Sequence, residues 1–295
     1  MTMPHRGHVP LSVPGARPAW SAPTLAFGPV ATRRFGNSIG ISNITPKVCP
    51  YSCIHCPVGH TVRMATERQP FQGSDAVVRA VRVLVDEAKE RGEPVDSLTF
   101  VADGEATMDA GLGRAIHVLR TLGIPVTVIT NGALLPSHAV RQALAEAEVV
   151  SIKVDAVREA TWRRVNRPHR RLLLDTIRNG MLTFAEGFGG TLLTETMLLG
   201  GVNDGVADLR ATAAFVGELA PAAAYLTVPL RQTAETWVVP ASKAAVDRAV
   251  ELFRAQVAAV EVLVGRGPAG PAGPPPRRRA TRQPGGTAGV PLNRA

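Results

Sequence analysis

The sequence is poor in several things, and each shortage removes a class of protein. Cysteine occurs only three times in 295 residues, and an odd, small count cannot build the disulfide framework of a secreted scaffold. Only four of the 33 basic residues are lysines, and aromatic residues make up 4% of the chain. No stretch approaches the ~18 uncharged apolar residues that a membrane-spanning helix needs. The first 27 residues carry Pro4, Pro10, Pro14, Pro18 and Pro23 with no continuous apolar run, so they do not read as a signal peptide. A cytoplasmic protein without a membrane partner is expected. Acidic residues are missing from both ends: residues 1–66 and 262–295 hold six basic side chains each and no Asp or Glu. The middle then carries 33 − 12 = 21 basic residues against 24 acidic ones, so the formal +9 comes from the ends. That split disfavours a wholly basic nucleic-acid-binding domain.

What is present is ample apolar material, 45% of the residues, enough for one sizeable core. Residues 267–295 are nearly half Gly and Pro with two large aliphatic residues, too few to offset the entropy of ordering them. The chain therefore divides into an irregular segment 1–24, a folded domain 25–264 and a disordered Pro/Gly/Arg-rich tail 265–295. Within the domain, short β-branched runs alternate with longer helical stretches. Strands are expected at Ser38–Ile44, Ser97–Ala102, Pro125–Thr130, Val149–Val154, Leu192–Leu198 and Tyr225–Val228. Helices are expected at Asp75–Arg91, Leu112–Leu122, Ser137–Ala147, Leu172–Glu186, Ala207–Leu219 and Ser242–Ala259, with a short one near Ala160. Ser74 reads as the N-cap of the first helix. Six such repeats predict an α/β protein with a parallel sheet covered by helices. Periodicity leaves a doubly wound sheet and an open or closed barrel as alternatives; both put function at the carboxyl ends of the strands.

All three cysteines fall in one window, Cys49-Pro-Tyr-Ser-Cys53-Ile-His-Cys56. Random placement would give that only a few times in a thousand, on the order of 3×(8/295)². Clustered thiolates bind soft metals. One reading is zinc held by Cys49, Cys53, Cys56 and His60, stabilising an RNA-binding module without catalysis. The other is a four-iron cluster, which takes four protein thiolates when fully ligated. With no fourth cysteine, one iron would stay open to a substrate or cofactor.

The spacing C-x3-C-x2-C, on a loop after the first strand of a βα-repeat domain, resembles that of the radical S-adenosylmethionine (SAM) superfamily. The segments Phe27-Gly-Pro-Val-Ala-Thr-Arg-Arg-Phe-Gly and Pro46-Lys47-Val48-Cys49 resemble one branch of it, a branch of Fe–S oxidoreductases related to wyosine tRNA-modification enzymes. Asp103-Gly-Glu105, Ile129-Thr-Asn-Gly132, Val165-Asn-Arg-Pro168, Glu195 to Asp204 and Ala234-Glu-Thr-Trp237 match it in the same order, and the likeness spans about residues 25–264.

The resemblance implies a partial (β/α)6 barrel of parallel strands with outer helices, and two cofactors, a [4Fe–4S] cluster and S-adenosyl-L-methionine. In such enzymes the amino and carboxylate groups of SAM chelate the open iron, and one electron cleaves SAM to a 5′-deoxyadenosyl radical that takes a hydrogen atom from the substrate. Cys49, Cys53 and Cys56 carry over as cluster ligands. His55 stands where relatives carry an aromatic residue near the adenine. Asp103, Gly104 and Glu105 match the segment that meets the SAM amino group, and Gly104 allows a close backbone approach or a positive φ. Thr130, Asn131, Ser151, Asp155 and Glu195 are placed for the ribose and carboxylate of SAM. Alternation points Ser151, Lys153 and Asp155 to one face, where Lys153 and Asp155 could instead pair. Lys47 and Lys153 are the two lysines near the predicted site and the candidates for catalysis. Arg33, Arg34 and Lys47 are expected to add charge near the cysteine loop. Arg163, Arg164, Arg167, Arg170 and Arg171 form a candidate phosphate patch for an RNA substrate. A flavodoxin- or ferredoxin-like reductant would suit a low-potential cluster beside basic residues.

Overall fold

The computed structural model describes residues 24–263, and the readings made for the two ends of the chain lie outside the described residues. The described residues open with an antiparallel hairpin of β1 (Ala26–Thr32) and β2 (Gly36–Ile41). Two very short strands, β3 (Val48–Cys49) and β4 (Arg63–Met64), pair at the base of the cysteine loop. Strand–helix repeats follow: α1 (Ser74–Glu90), β5 (Ser97–Phe100), α2 (Leu112–Arg120), β6 (Val126–Thr130), α3 (His138–Ala145) and β7 (Val149–Lys153). Then come α4 (Glu159–Asn166), α5 (Leu174–Gly187), β8 (Thr191–Met197), α6 (Val206–Leu219), β9 (Ala223–Thr227), α7 (Lys243–Arg254) and β10 (Val260–Leu263).

The main sheet runs β1-β2-β5-β6-β7-β8-β9-β10, and every pair except β1–β2 is parallel. Strand order follows chain order without a reversal. Right-handed crossovers then put every helix on one face, which removes the doubly wound alternative. The edges β1 and β10 are not neighbours in the sheet, so the barrel is partial and open.

The two faces carry different residues. Ile39, Ile41, Leu98, Phe100, Val126, Val128, Val150, Ile152 and Leu192 point to the helices and form the large core. Each such side chain contributes roughly 1.5–3 kcal/mol on burial. Their strand neighbours Val149, Leu193 and Tyr225 point to the concave side, where Phe35 from the hairpin turn joins them in a separate small cluster. That cluster closes the amino-terminal end of the barrel. The carboxyl ends of the strands stay open around a cavity of about 640 Å³, within the ~300–1,000 Å³ range of small-molecule sites.

Three local readings differ from expectation. Gly73 precedes α1 with φ 77, and Ser74 is the first helical residue; its hydroxyl donates to the Gly111 carbonyl oxygen (3.0 Å) instead of capping. The last helix stops at Arg254, five residues early, because the chain turns there to bury Val257 and add β10. The hairpin strand β1 was not expected, since Phe27, Gly28 and Pro29 break the β-branched pattern that betrays the other strands. Among the described residues no helix is long and apolar enough to cross a membrane.

Candidate functional site

Cys49, Cys53 and Cys56 all line the open cavity, and none is in a disulfide. The loop that carries them is held from behind by the end of α4. Ser52 N donates to the Asn166 carbonyl oxygen (3.0 Å), Ile54 N to that of Val165 (3.0 Å), and His169 N to that of Pro50 (2.8 Å). Tyr51 is buried there beside Trp162, whose indole Nε1 donates to its hydroxyl (3.2 Å). Two amides point at sulfur: Asn131 Nδ2 donates to Cys49 Sγ and Asn166 Nδ2 to Cys53 Sγ, each at 3.4 Å. Burial pushes both thiols up, Cys53 to about 12; Asp155 adds to the rise at Cys53, and Cys53 and Glu105 add to it at Cys49.

Three thiols on one wall, with amide donors aimed at two of them, fit a group that takes sulfur ligands at separate corners. Among the described residues no three Cys, His, Asp or Glu side chains converge as the ligands of a single ion would. The zinc arrangement also loses its fourth ligand. His60 is 59% exposed, faces Glu235 at 4.0 Å and is not part of the cavity wall.

The strand tips supply the rest. Gly104 has no positive φ; a Cβ there would overlap the Val48 carbonyl oxygen, so the glycine serves close approach to the cysteine strand. Lys47 N donates to the Asp103 carbonyl oxygen (2.6 Å), and Asp103 lines the cavity. Glu105 is 2% exposed, and its carboxylate is used inside the protein. One oxygen accepts from Thr107 N (3.1 Å), Thr107 Oγ1 (2.6 Å) and Thr130 Oγ1 (2.6 Å), the other from Asn131 N (2.8 Å). It fixes Thr130 and Asn131 at the tip of β6.

Lys153 and Asp155 do not pair. Lys153 Nζ lies 3.1 Å from Glu195 on the neighbouring strand, while Asp155 accepts from Asn166 Nδ2 (2.9 Å) and Met197 N (3.0 Å). His55 Nε2 is 3.5 Å from Asp155, and its Nδ1 is buried without a partner. Burial holds the His55 pKa below the usual histidine value, against the opposing pull of Asp155. Arg34 is not at the cysteine loop. It rises from the hairpin turn against Phe35 and Tyr225, its guanidinium carbon 4.9 and 5.4 Å from their ring centres. It reaches Glu195 at 2.7 Å and donates to Ser151 Oγ at 3.2 Å. Ser151 is thereby fully buried beneath the cavity and does not line it. Burial alone would raise the Glu195 carboxyl; Arg34 and then Lys153 outweigh it and hold the group at about 2. Burial likewise works against the Lys153 ammonium, but Glu195 and Asp155 keep its pKa above the ordinary lysine value.

The arginine segment lies outside the cavity. Arg163 pairs with Glu159 (2.7 Å), Arg171 with Glu67 (3.2 Å) and Arg167 with Glu235, while Arg164 donates to the Gly201 carbonyl oxygen (3.2 Å). None of the five, Arg170 included, lines the cavity wall. Sequence reasoning missed Thr107, Tyr51 and Trp162 as parts of the site, whereas the Val165-Asn-Arg-Pro168 match had pointed to Asn166 near its mouth.

Comparison with known proteins bears on the family and the fold. The family model described as Radical SAM superfamily matches residues 43–216. A UPF0026 protein of Methanocaldococcus jannaschii is 39% identical over 230 residues, 78% of this chain and 71% of that protein. Among solved structures, TYW1 with a lysine–pyruvate adduct bound superposes with a TM-score of 0.55 at 15% identity, over 75% of this chain and 74% of the other. A radical SAM methyltransferase from Sphaerobacter thermophilus gives 0.56 at 18%, over 78% and 67%. At those identities the structures speak for the fold.

Proposed function

The chain belongs to the radical SAM superfamily, an enzyme superfamily whose members bind a [4Fe–4S] cluster and SAM, and on that premise we propose that Cys49, Cys53 and Cys56 hold one such cluster for reductive cleavage of SAM. The observation that carries the reading is the set of three unpaired thiols on one cavity wall at the strand tips, with Asn131 and Asn166 aimed at two of the sulfurs. When bound and reduced, the cluster supplies the electron that splits SAM and so the radical that removes a hydrogen atom from substrate.

This chain's own residues hold and exclude. The amides of Asn131 and Asn166 stabilise sulfur as thiolate. Gly104 brings the Asp103–Glu105 turn against the cysteine strand, where the turn's backbone would hold the amino group of SAM. Glu105 acts by positioning Thr130 and Asn131 for the ribose. His55 offers a buried ring to the adenine, oriented by Asp155. Lys153 remains charged beside Glu195, which suits it to hold an anionic group and unsuits it as a proton acceptor. The apolar plug of Phe35, Leu193 and Tyr225 keeps water from entering through the barrel floor.

An RNA base as substrate rests on Arg163, Arg164, Arg167, Arg170 and Arg171. They would grip a phosphate backbone outside the cavity, with Arg163, Arg167 and Arg171 exchanging their carboxylate partners for phosphates. A small acidic reductant in the cytoplasm, where thiols stay reduced, would supply the electron. The test is anaerobic reconstitution. The wild-type protein is expected to take up about four irons and to form 5′-deoxyadenosine from SAM once reduced with dithionite. Cys53→Ala should lose both, because two thiolates cannot hold the cluster. Stoichiometric zinc in place of iron, or full iron retention by Cys53→Ala, would overturn the assignment.

A further inference from the structure

Lys47 occupies an unusual place. Its backbone is left-handed, φ 62, which few residues other than glycine adopt. The strain is over-determined by neighbours. Its N–H donates to Asp103 O (2.6 Å), and its carbonyl oxygen accepts from Val62 N (3.0 Å) and Arg63 N (3.2 Å). So held, the side chain crosses to the turn that follows Cys56. Gly59 is the residue beneath it, and a Cβ on Gly59 would stand 3.3 Å from Lys47 Nζ. Both residues line the cavity together with the three cysteines.

Two of the cations that line the cavity, Arg34 and Lys153, share Glu195. The anions Asp155 and Glu105 stand near Cys53 and Cys49 and oppose negative charge on sulfur. No carboxylate among the described residues pairs with Lys47. A cubane held by three thiolates is a net anion, and taking one electron adds a further negative charge. In a partly buried cavity that addition is costly unless a cation faces it.

We infer that Lys47 is a fixed positive charge built to face the cluster, a positioning residue that eases the cluster's one-electron reduction without being a ligand or a proton carrier. The strained backbone and the bare Gly59 are what aim it. The inference rests on the cluster reading above, and the experiment separates the two.

Wild type, Lys47→Met and Lys47→Arg are reconstituted anaerobically, assayed for iron and sulfide, and titrated potentiometrically. Dithionite is the electron donor, and the electron paramagnetic resonance signal of the reduced cluster is the readout. All three are expected to load. At the wild-type midpoint the reduced-to-oxidised ratio of Lys47→Met should be lower by about threefold or more, a shift toward more negative potential. Lys47→Arg should lie close to wild type. Coincident titrations of loaded wild type and Lys47→Met would overturn the inference and leave the cluster reading standing. Failure of the wild type to load iron would remove both. If Lys47→Met fails to load while Lys47→Arg loads and melts like wild type, the charge requirement is upheld at assembly. If neither loads, the position serves the backbone and the inference is lost.

Discussion

Replacing Glu105 with Gln removes one charge and changes the shape of the side chain hardly at all. The carboxylate is 2% exposed and accepts four hydrogen bonds, from Thr107 N, Thr107 Oγ1, Thr130 Oγ1 and Asn131 N. An amide keeps one acceptor oxygen. If that oxygen serves the two threonines, the new NH2 faces the Asn131 N–H, donor against donor. A hydrogen bond to a charged group is worth about 1.5–3 kcal/mol, and a buried donor left unpaired costs about 1–3 kcal/mol. The expected loss is therefore about 3 kcal/mol, or about 6–12 °C in melting temperature for a domain of this size. Urea and thermal denaturation of the metal-free protein, followed by circular dichroism, measure it. Thr130→Val should cost less in the Glu105→Gln background than alone, because the Thr130 hydroxyl then loses a bond to a neutral amide oxygen instead of one to a carboxylate. A loss below about 0.5 kcal/mol, well under a single such bond, would refute the claim that Glu105 acts as the clamp of the β6 tip.

Two other outcomes follow from the barrel interior. Arg34 and Lys153 hold Glu195 at about 2 against an ordinary 4.5, so its contribution is full above pH 4.5 and is lost as pH falls toward 2. Glu195→Gln should accordingly be less stable than wild type at pH 6, and urea titrations at lower pH should show the gap closing below about 4.5; a constant gap from pH 7 to 3 would contradict the ion triad. Phe35→Ala removes the plug residue packed on Val149, Leu193 and Tyr225 and should cost about 3 kcal/mol or more. Iron uptake per folded protein should stay unchanged, since the cysteines lie at the opposite end of the strands; a parallel loss of iron would show that plug and site are coupled.

Much of the fold was legible because parallel strands buried on both faces and amphipathic helices leave strong periodic traces. Val77, Val81 and Ala88 mark α1 as plainly in sequence as in structure. The cysteine window was legible because no packing requirement gathers three thiols in eight residues. Asn166 and Glu105 were harder. Each is a single polar residue whose partners lie on other elements, 113 positions from Cys53 in one case and 25 from Thr130 in the other.

The sequence by itself determined the repeat of strand and helix and the clustered thiols, because each depends on residue type and local spacing. Tertiary structure alone decided which charges meet. It gave Lys153 to Glu195 and Asp155 to Asn166, sent Arg34 to the barrel floor, and set Lys47 over Gly59 at the cavity wall without a carboxylate. Pairing energies depend on distances between strands, and those distances are set only when the strands assemble into the curved sheet.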